Sequence, residues 1–208
     1  MEIKLVRLAV NGGIGFGAQL SPKQLLHLSK YLPEDSEIEL TTFQQLIIQV
    51  PEDNLVQIRN ELELIGLSCY SVGNYVKSLR TCGFCKGAEE EGMPVAIELN
   101  NRIAGKEVPF TLRPAYTGCP TACGEPLVND IGVIKQRDAY DLYLGGKANG
   151  LDAQTGQLFK NDLQPDELYK LVDQIIDVYA KNGKKREKFS KFLNRFGIDQ
   201  LKQQLNVV

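Results

Sequence analysis

The chain has 208 residues, of which 43% are apolar and 24% charged, and its formal net charge is −2. That length buries a core in one or two compact units, and the near-neutral charge argues against general nucleic-acid binding. No apolar run approaches the roughly 20 residues of a membrane helix. The opening MEIKLVRLAVNGG alternates like a strand instead of forming a signal peptide, so no membrane contact and a cytoplasmic location are expected.

Glu2–Val10 reads as a strand and NGGIGFGAQ as a glycine-rich loop. No Lys-Ser/Thr follows Gly12, Gly13, Gly15 and Gly17, and the dinucleotide pattern is incomplete, so the loop is read as covering a cofactor face. SPKQLLHLSKYL opens with Ser21 as N-cap, Pro22 in the first turn and Gln24 in capping-box position. Leu25, Leu26, Leu28 and Leu32 supply its apolar face, and the single histidine, His27, is expected at a surface or half-buried position. Ser36–Thr42 and Gln45–Val50 read as strands, Asp53–Ile65 as an amphipathic helix stopped by Gly66, and Leu67–Val72 as a short strand. The order β-α-β-β-α-β predicts a ferredoxin-like half-domain over residues 1–73.

Residues 74–208 form the second predicted domain, an α/β unit ending in helices, which makes the whole chain α+β. A helix is expected from Lys86 to Arg102, and strands at Phe110–Tyr116, Asp130–Ile134 and Ala139–Leu144. A helix starts at Pro165 with Leu168, Leu171, Val172, Ile175 and Tyr179 on one face and ends at Gly183; two shorter helices follow. KNGKKREKFSKFLNRF is strongly basic, a solvated helix face or a patch for an anionic partner such as an acidic electron carrier.

Four of the five cysteines fall in two tight pairs, Cys82 and Cys85 in RTCGFCKG, Cys119 and Cys123 in TGCPTACGE. Cys69 stands alone and reads as a small buried residue. Paired cysteines outside an oxidising compartment are metal ligands or redox groups more often than structural disulfides. A C-x2-C and C-x3-C set serves zinc or an iron–sulfur cluster, and spacing alone leaves both open beside disulfide chemistry.

The segment GCPTAC followed by NDIG, with Gly118, Cys119, Cys123, Asp130, Ile131 and Gly132, resembles the nitrite and sulfite reductase hemoprotein family, in particular its small single-repeat members. YDLYLGG is similar to that family's post-cluster strand. VDQIIDVYAKNGKKREKFSKFLNRFG is similar to its C-terminal helices, and LSPKQLLHLSKYL with IELTTFQQLIIQV to its half-domain, so the resemblance covers nearly the whole chain.

The resemblance implies a 4Fe-4S cluster on Cys82, Cys85, Cys119 and Cys123, with a siroheme bridged through Cys123 and with Gly118 in the cluster loop. It also implies reduction of sulfite or nitrite with electrons from a protein donor such as a ferredoxin, and a homodimer. Cations are then expected at the substrate and the siroheme carboxylates. Arg113, Arg80 and Lys86 are the candidates for catalysis, and Arg113 and Lys147 for siroheme.

Three features depart from the family pattern: the first pair is C-x2-C instead of C-x5-C, Phe43 replaces a basic residue, and Asn11 to Gly17 contains no arginine. The last two keep open a siroheme-free iron–sulfur carrier or accessory subunit, and the cysteine spacing with the basic C-terminal helices keeps open a zinc-stabilised interaction module.

Overall fold

The computed structural model describes residues 4–14, 19–85 and 88–207, without the side chains of 88–91. The chain divides into two compact units, Met1–Val72 and Gly73–Val208.

The first unit runs β1 (Leu5–Asn11), α1 (Pro22–Ser29), β2 (Glu39–Leu40), β3 (Leu46–Pro51), α2 (Leu55–Leu64) and β4 (Ser68–Ser71). Its antiparallel sheet has the order β2-β3-β1-β4, with Leu8 opposite Ile48 and Val10 opposite Cys69. Leu8, Val10, Ile48, Val50 and Cys69 form its core with Leu28 of α1 and Ile58 and Leu62 of α2. This is the expected β-α-β-β-α-β order. The Ser21 capping box is formed, Gln24 N–H donating to Ser21 Oγ at 3.2 Å and Ser21 N–H to Gln24 Oε1 at 2.9 Å.

Two details differ from expectation. Leu25 and Leu26 are 46% and 70% exposed, so the buried stripe of this eight-residue helix narrows to Leu28. The strand expected over Ser36–Thr42 shrinks to Glu39–Leu40, an edge pair with both side chains exposed. Gly15 and Gly17 lie outside the described residues. His27 is half-buried, its ring edge-on to Tyr31.

The second unit contains β5 (Arg80–Thr81), α3 (Ala88–Ile103), β6 (Pro114–Thr117), β7 (Ile131–Gln136), β8 (Ala139–Leu144) and β9 (Gln157–Leu163), then α4 (Pro165–Asn182), α5 (Phe189–Phe196) and α6 (Ile198–Gln204). The five strands lie in sequence order; β5, β6 and β7 are parallel, and β7, β8 and β9 antiparallel. Parallel neighbours require a crossover, which α3 supplies between β5 and β6. Leu168, Leu171, Val172, Ile175 and Tyr179 of α4 are all buried, as their spacing predicts. Tyr179 packs edge-on against Phe189 and donates its hydroxyl to the Glu187 carbonyl at 2.5 Å, tying α4 to the start of α5.

β5 and β9 are additions to the predicted set. β5 is two residues long, too short for a periodic signal, and in β9 only Phe159 and Leu163 are buried. β6 begins at Pro114 instead of Phe110, because the N–H of Arg113 goes to the Asp130 carboxylate at 2.9 Å instead of a ladder.

Candidate metal centre

The two cysteine pairs stand on adjacent parallel strands. Arg80 pairs with Ala115 and Thr81 with Tyr116, so Cys82 leaves the end of β5 beside the chain entering Gly118-Cys119 from β6. Neighbouring strands lie about 4.8 Å apart, and loops at the carboxyl ends of parallel strands are the usual place for a site in such a sheet. Three contacts weld the loops. Cys82 N–H donates to the Tyr116 carbonyl at 3.3 Å, and Gly118 N–H donates to Cys82 Sγ at 3.4 Å. A Cβ on Gly124 would overlap the Tyr116 carbonyl oxygen and crowd Cys82 N, so only glycine lets the backbone after Cys123 lie against Cys82.

Each loop turns through a left-handed residue just before its last cysteine, Phe84 at φ 43° and Ala122 at φ 59°, and Glu125 follows at φ 56°. Non-glycine residues rarely adopt this conformation, and it concentrates where a site demands it. Left-handed turns of this kind gather successive N–H groups into concavities suited to anionic groups, iron–sulfur clusters among them. The strain is opposed by anchoring underneath. Phe84 is buried with its ring 6.0 Å from that of Tyr116, and the Tyr116 hydroxyl donates to the Gly92 carbonyl at 2.9 Å.

Cys82 and Cys119 are half-buried, and Cys85 and Cys123 are exposed; all four are free thiols. Hydrogen bonds from the Thr121 side chain and backbone hold the Cys119 thiol below its ordinary range. Among the described residues no three side chains already converge as a closed ligand set. The strands that deliver the two pairs stand side by side, and Cys85 and Cys123 are the exposed members of each pair.

Four thiols, a backbone N–H aimed at one sulfur and two left-handed loops fit a four-thiolate group. The buried Thr117 hydroxyl, which has no hydrogen-bond partner among the described residues, adds an unsatisfied donor at the entrance to the Cys119 loop.

The cations distribute unevenly. Arg80, next to Cys82, pairs with Glu125 of the other loop at 2.9 Å and so bridges the two loops. Lys86 lies outside the described residues. Arg113 precedes β6 whereas Cys119 follows it, and six residues of extended chain place the two about 20 Å apart. Lys147 follows β8, whose last residue pairs with Ile131 at the start of β7, so it joins Arg113 at the end of the sheet opposite the cysteines. Phe43 is buried within the first unit.

The sequence reading missed Gly124, Glu125, Phe84 and Tyr116 as supports. Gly124 and Glu125 directly follow Cys123, but only the folded loop reveals what they touch.

Two adjacent loops carrying four cysteines on a mixed five-stranded sheet, preceded in the chain by a four-stranded α+β unit, make a candidate centre for a metal ion or cluster. The family model described as nitrite and sulphite reductase 4Fe-4S domain matches residues 75–208, and the chain belongs to this family. The chain is 30% identical over 191 residues to cobalt-factor III methyltransferase of Priestia megaterium, covering 92% of this chain and 35% of that one. It is 24% identical to the assimilatory-type sulfite reductase of Nitratidesulfovibrio vulgaris, covering 80% of this chain and 77% of the relative. Its fold is similar to that of the NirA protein of Mycobacterium tuberculosis, with a TM-score of 0.71 at 16% identity, covering 96% of this chain and 40% of that structure. No helix among the described residues is long and apolar enough to cross a membrane.

Proposed function

We propose that the chain carries a 4Fe-4S cluster on Cys82, Cys85, Cys119 and Cys123. In this reading it works as a redox unit of the nitrite and sulfite reductase type, with a siroheme against Cys123 and sulfite or nitrite as the small anion reduced. The observation that carries this reading is the placement of both cysteine loops on the adjacent carboxyl ends of β5 and β6, joined by Gly118 N–H···Sγ of Cys82. When bound, the cluster and siroheme supply one-electron storage and transfer to the substrate.

The chain's own residues do the rest. The four thiolates hold, the Gly118 N–H and the left-handed loops stabilise negative charge on sulfur, and the Arg80–Glu125 pair locks one loop to the other. The exposure of Cys123 leaves its sulfur accessible to a second group. A protein electron donor and a homodimer complete the proposal.

A second reading comes from the relative that covers 92% of the chain at 30% identity. That relative is a cobalt-factor III methyltransferase, and this chain spans about a third of it. In this reading the same cluster serves an enzyme acting on a tetrapyrrole.

The test is anaerobic reconstitution of the full chain with iron and sulfide, followed by metal analysis, a visible spectrum with and without siroheme, and sulfite and nitrite reduction from a chemical reductant. Cluster absorbance, a haem Soret band and turnover support the first reading. A cluster that takes up no siroheme supports a carrier or the tetrapyrrole reading. Zinc bound in preference to iron overturns both.

A further inference from the structure

Arg113 and Lys147 come together in one place. A cavity of about 50 Å³ lies at the end of the sheet opposite the cysteines, lined by Arg113, Asp130, Lys147, Lys188 and Ser190. Four chain segments converge there. Arg113 and Asp130 stand just before β6 and β7, Lys147 follows β8, and Lys188 is the N-cap of α5. Three cations and the Asp130 carboxylate line the cavity. Two of the cations have neighbours that hold them: Lys147 is paired with Asp152 and only 14% exposed, and the Lys188 ammonium lies 5.9 Å from the Phe110 ring centre.

Two further features point to an anion. α5 has eight residues, no side chain caps its N-terminus, and Phe192 N–H is the first to bond back, to the Lys188 carbonyl at 2.9 Å. The N–H groups of its first turn are therefore left for a ligand or water, at the positive end of the helix dipole. Ser190, in that turn, is 5% exposed, lines the cavity and makes no side-chain hydrogen bond among the described residues. A hydroxyl that faces a cavity without a protein partner is open to a ligand or water there. The volume suits one small group rather than a cofactor.

The geometry points to an oxyanion site, separate from the cysteine centre, in which Arg113, Lys147, Lys188 and the Ser190 hydroxyl at the start of α5 bind a tetrahedral phosphate- or sulfate-type group. The ligand is either the free ion or the head of a larger monoester. The site is independent of what the cysteines hold, so it stands or falls separately from the cluster.

The experiment is an amide-resolved NMR titration of the full chain with inorganic phosphate and, separately, with glycerol phosphate, each against chloride at equal ionic strength. Saturable shifts of the Arg113, Lys147 and Ser190 amides are expected. Binding should weaken by roughly tenfold or more in Lys188→Gln and in Ser190→Ala. It should tighten in Asp130→Asn, which removes the opposing carboxylate; a gain cannot come from a misfolded variant. Equal or tighter binding of the monoester identifies a head group, and preference for the inorganic ion identifies the free anion. No saturable shift, or shifts spread over the basic Lys181–Lys191 surface and unchanged in the variants, overturns the proposal.

Discussion

At the scale of single residues, two glycines next to the cysteines, Gly83 and Gly124, behave oppositely. A Cβ on Gly124 would overlap the Tyr116 carbonyl, whereas one on Gly83 meets nothing within 4 Å. Gly124→Ala is expected to cost about 1–3 kcal/mol and to lower iron uptake. Gly83→Ala should stay within about 0.5 kcal/mol of the parent. Thermal unfolding and iron per chain after reconstitution check both.

Asp130 offers a second residue-scale test. Burial pushes its carboxyl up to about 6, against the downward pull of the Arg113 N–H and of the Arg113 and Lys188 cations. Lys147 lines the same cavity, and the buried Tyr179 hydroxyl is the other titratable group that senses this carboxylate. The folded state therefore holds this proton more tightly than the unfolded chain does. Stability falls as pH rises from about 4 to about 6, and the loss is complete above that. Asp130→Asn keeps an acceptor for Arg113 N–H and is expected to flatten this slope, worth on the order of 2 kcal/mol. Unfolding free energies measured across pH 4–7 for the pair decide it.

At the scale of elements, the motifs of the second unit turn out to be packing instructions. A Cβ on Gly132 of the Asp-Ile-Gly triplet would overlap the Pro126 carbonyl, and one on Gly146 would overlap those of Leu127 and Asn129. Both glycines clamp the limb that returns from Cys123 to β7. The motif pattern was legible as sequence, but its function as a clamp depends on which strands lie side by side.

The junction of α4 and α5 is held by charge. Arg195 of α5 donates to both Glu187 carboxylate oxygens at 2.8 Å, and Lys184 N–H donates to the same carboxylate at 2.8 Å. These bonds hold the Glu187 pKa down to about 2. Its contribution is present above the ordinary value of 4.5 and is lost as pH falls toward 2. Arg195 is partly exposed, so solvent screening reduces the effect. Glu187→Gln should cost about 1–2 kcal/mol at neutral pH and make stability less sensitive to acid, as read by chemical denaturation at pH 7 and pH 3.

At the scale of the whole molecule, the five thiols separate into two populations. Cys69 sits in the core of the first unit, where burial pushes its thiol up to about 12. The other four line the loops of the second unit, half-buried or exposed. A thiol-specific reagent should label those four rapidly in the metal-free native chain and reach Cys69 only on unfolding. After cluster loading all four should be protected together. Replacing Cys82 or Cys123 with Ser should abolish that protection and cut bound iron by most of its amount. Partial protection of a single pair would instead mean that the two loops act separately.

The sequence by itself determined the local features: the capping box at Ser21, the α4 stripe from Leu168 to Tyr179, the β-α-β-β-α-β order, and the four cysteines as a candidate ligand set. Each depends on residues a few positions apart, where periodicity and spacing translate directly into geometry. Only the tertiary structure decided what those pieces meet. Cys82 and Cys119 are 37 residues apart in sequence, and it is the parallel register of β5 and β6 that sets their loops side by side. Arg113, six residues from Cys119, goes to the far end of the sheet because an extended strand separates its two ends. There it meets Lys147 and Lys188 at the start of α5. Strand pairing and helix docking are long-range contacts, so they join distant residues and part near ones.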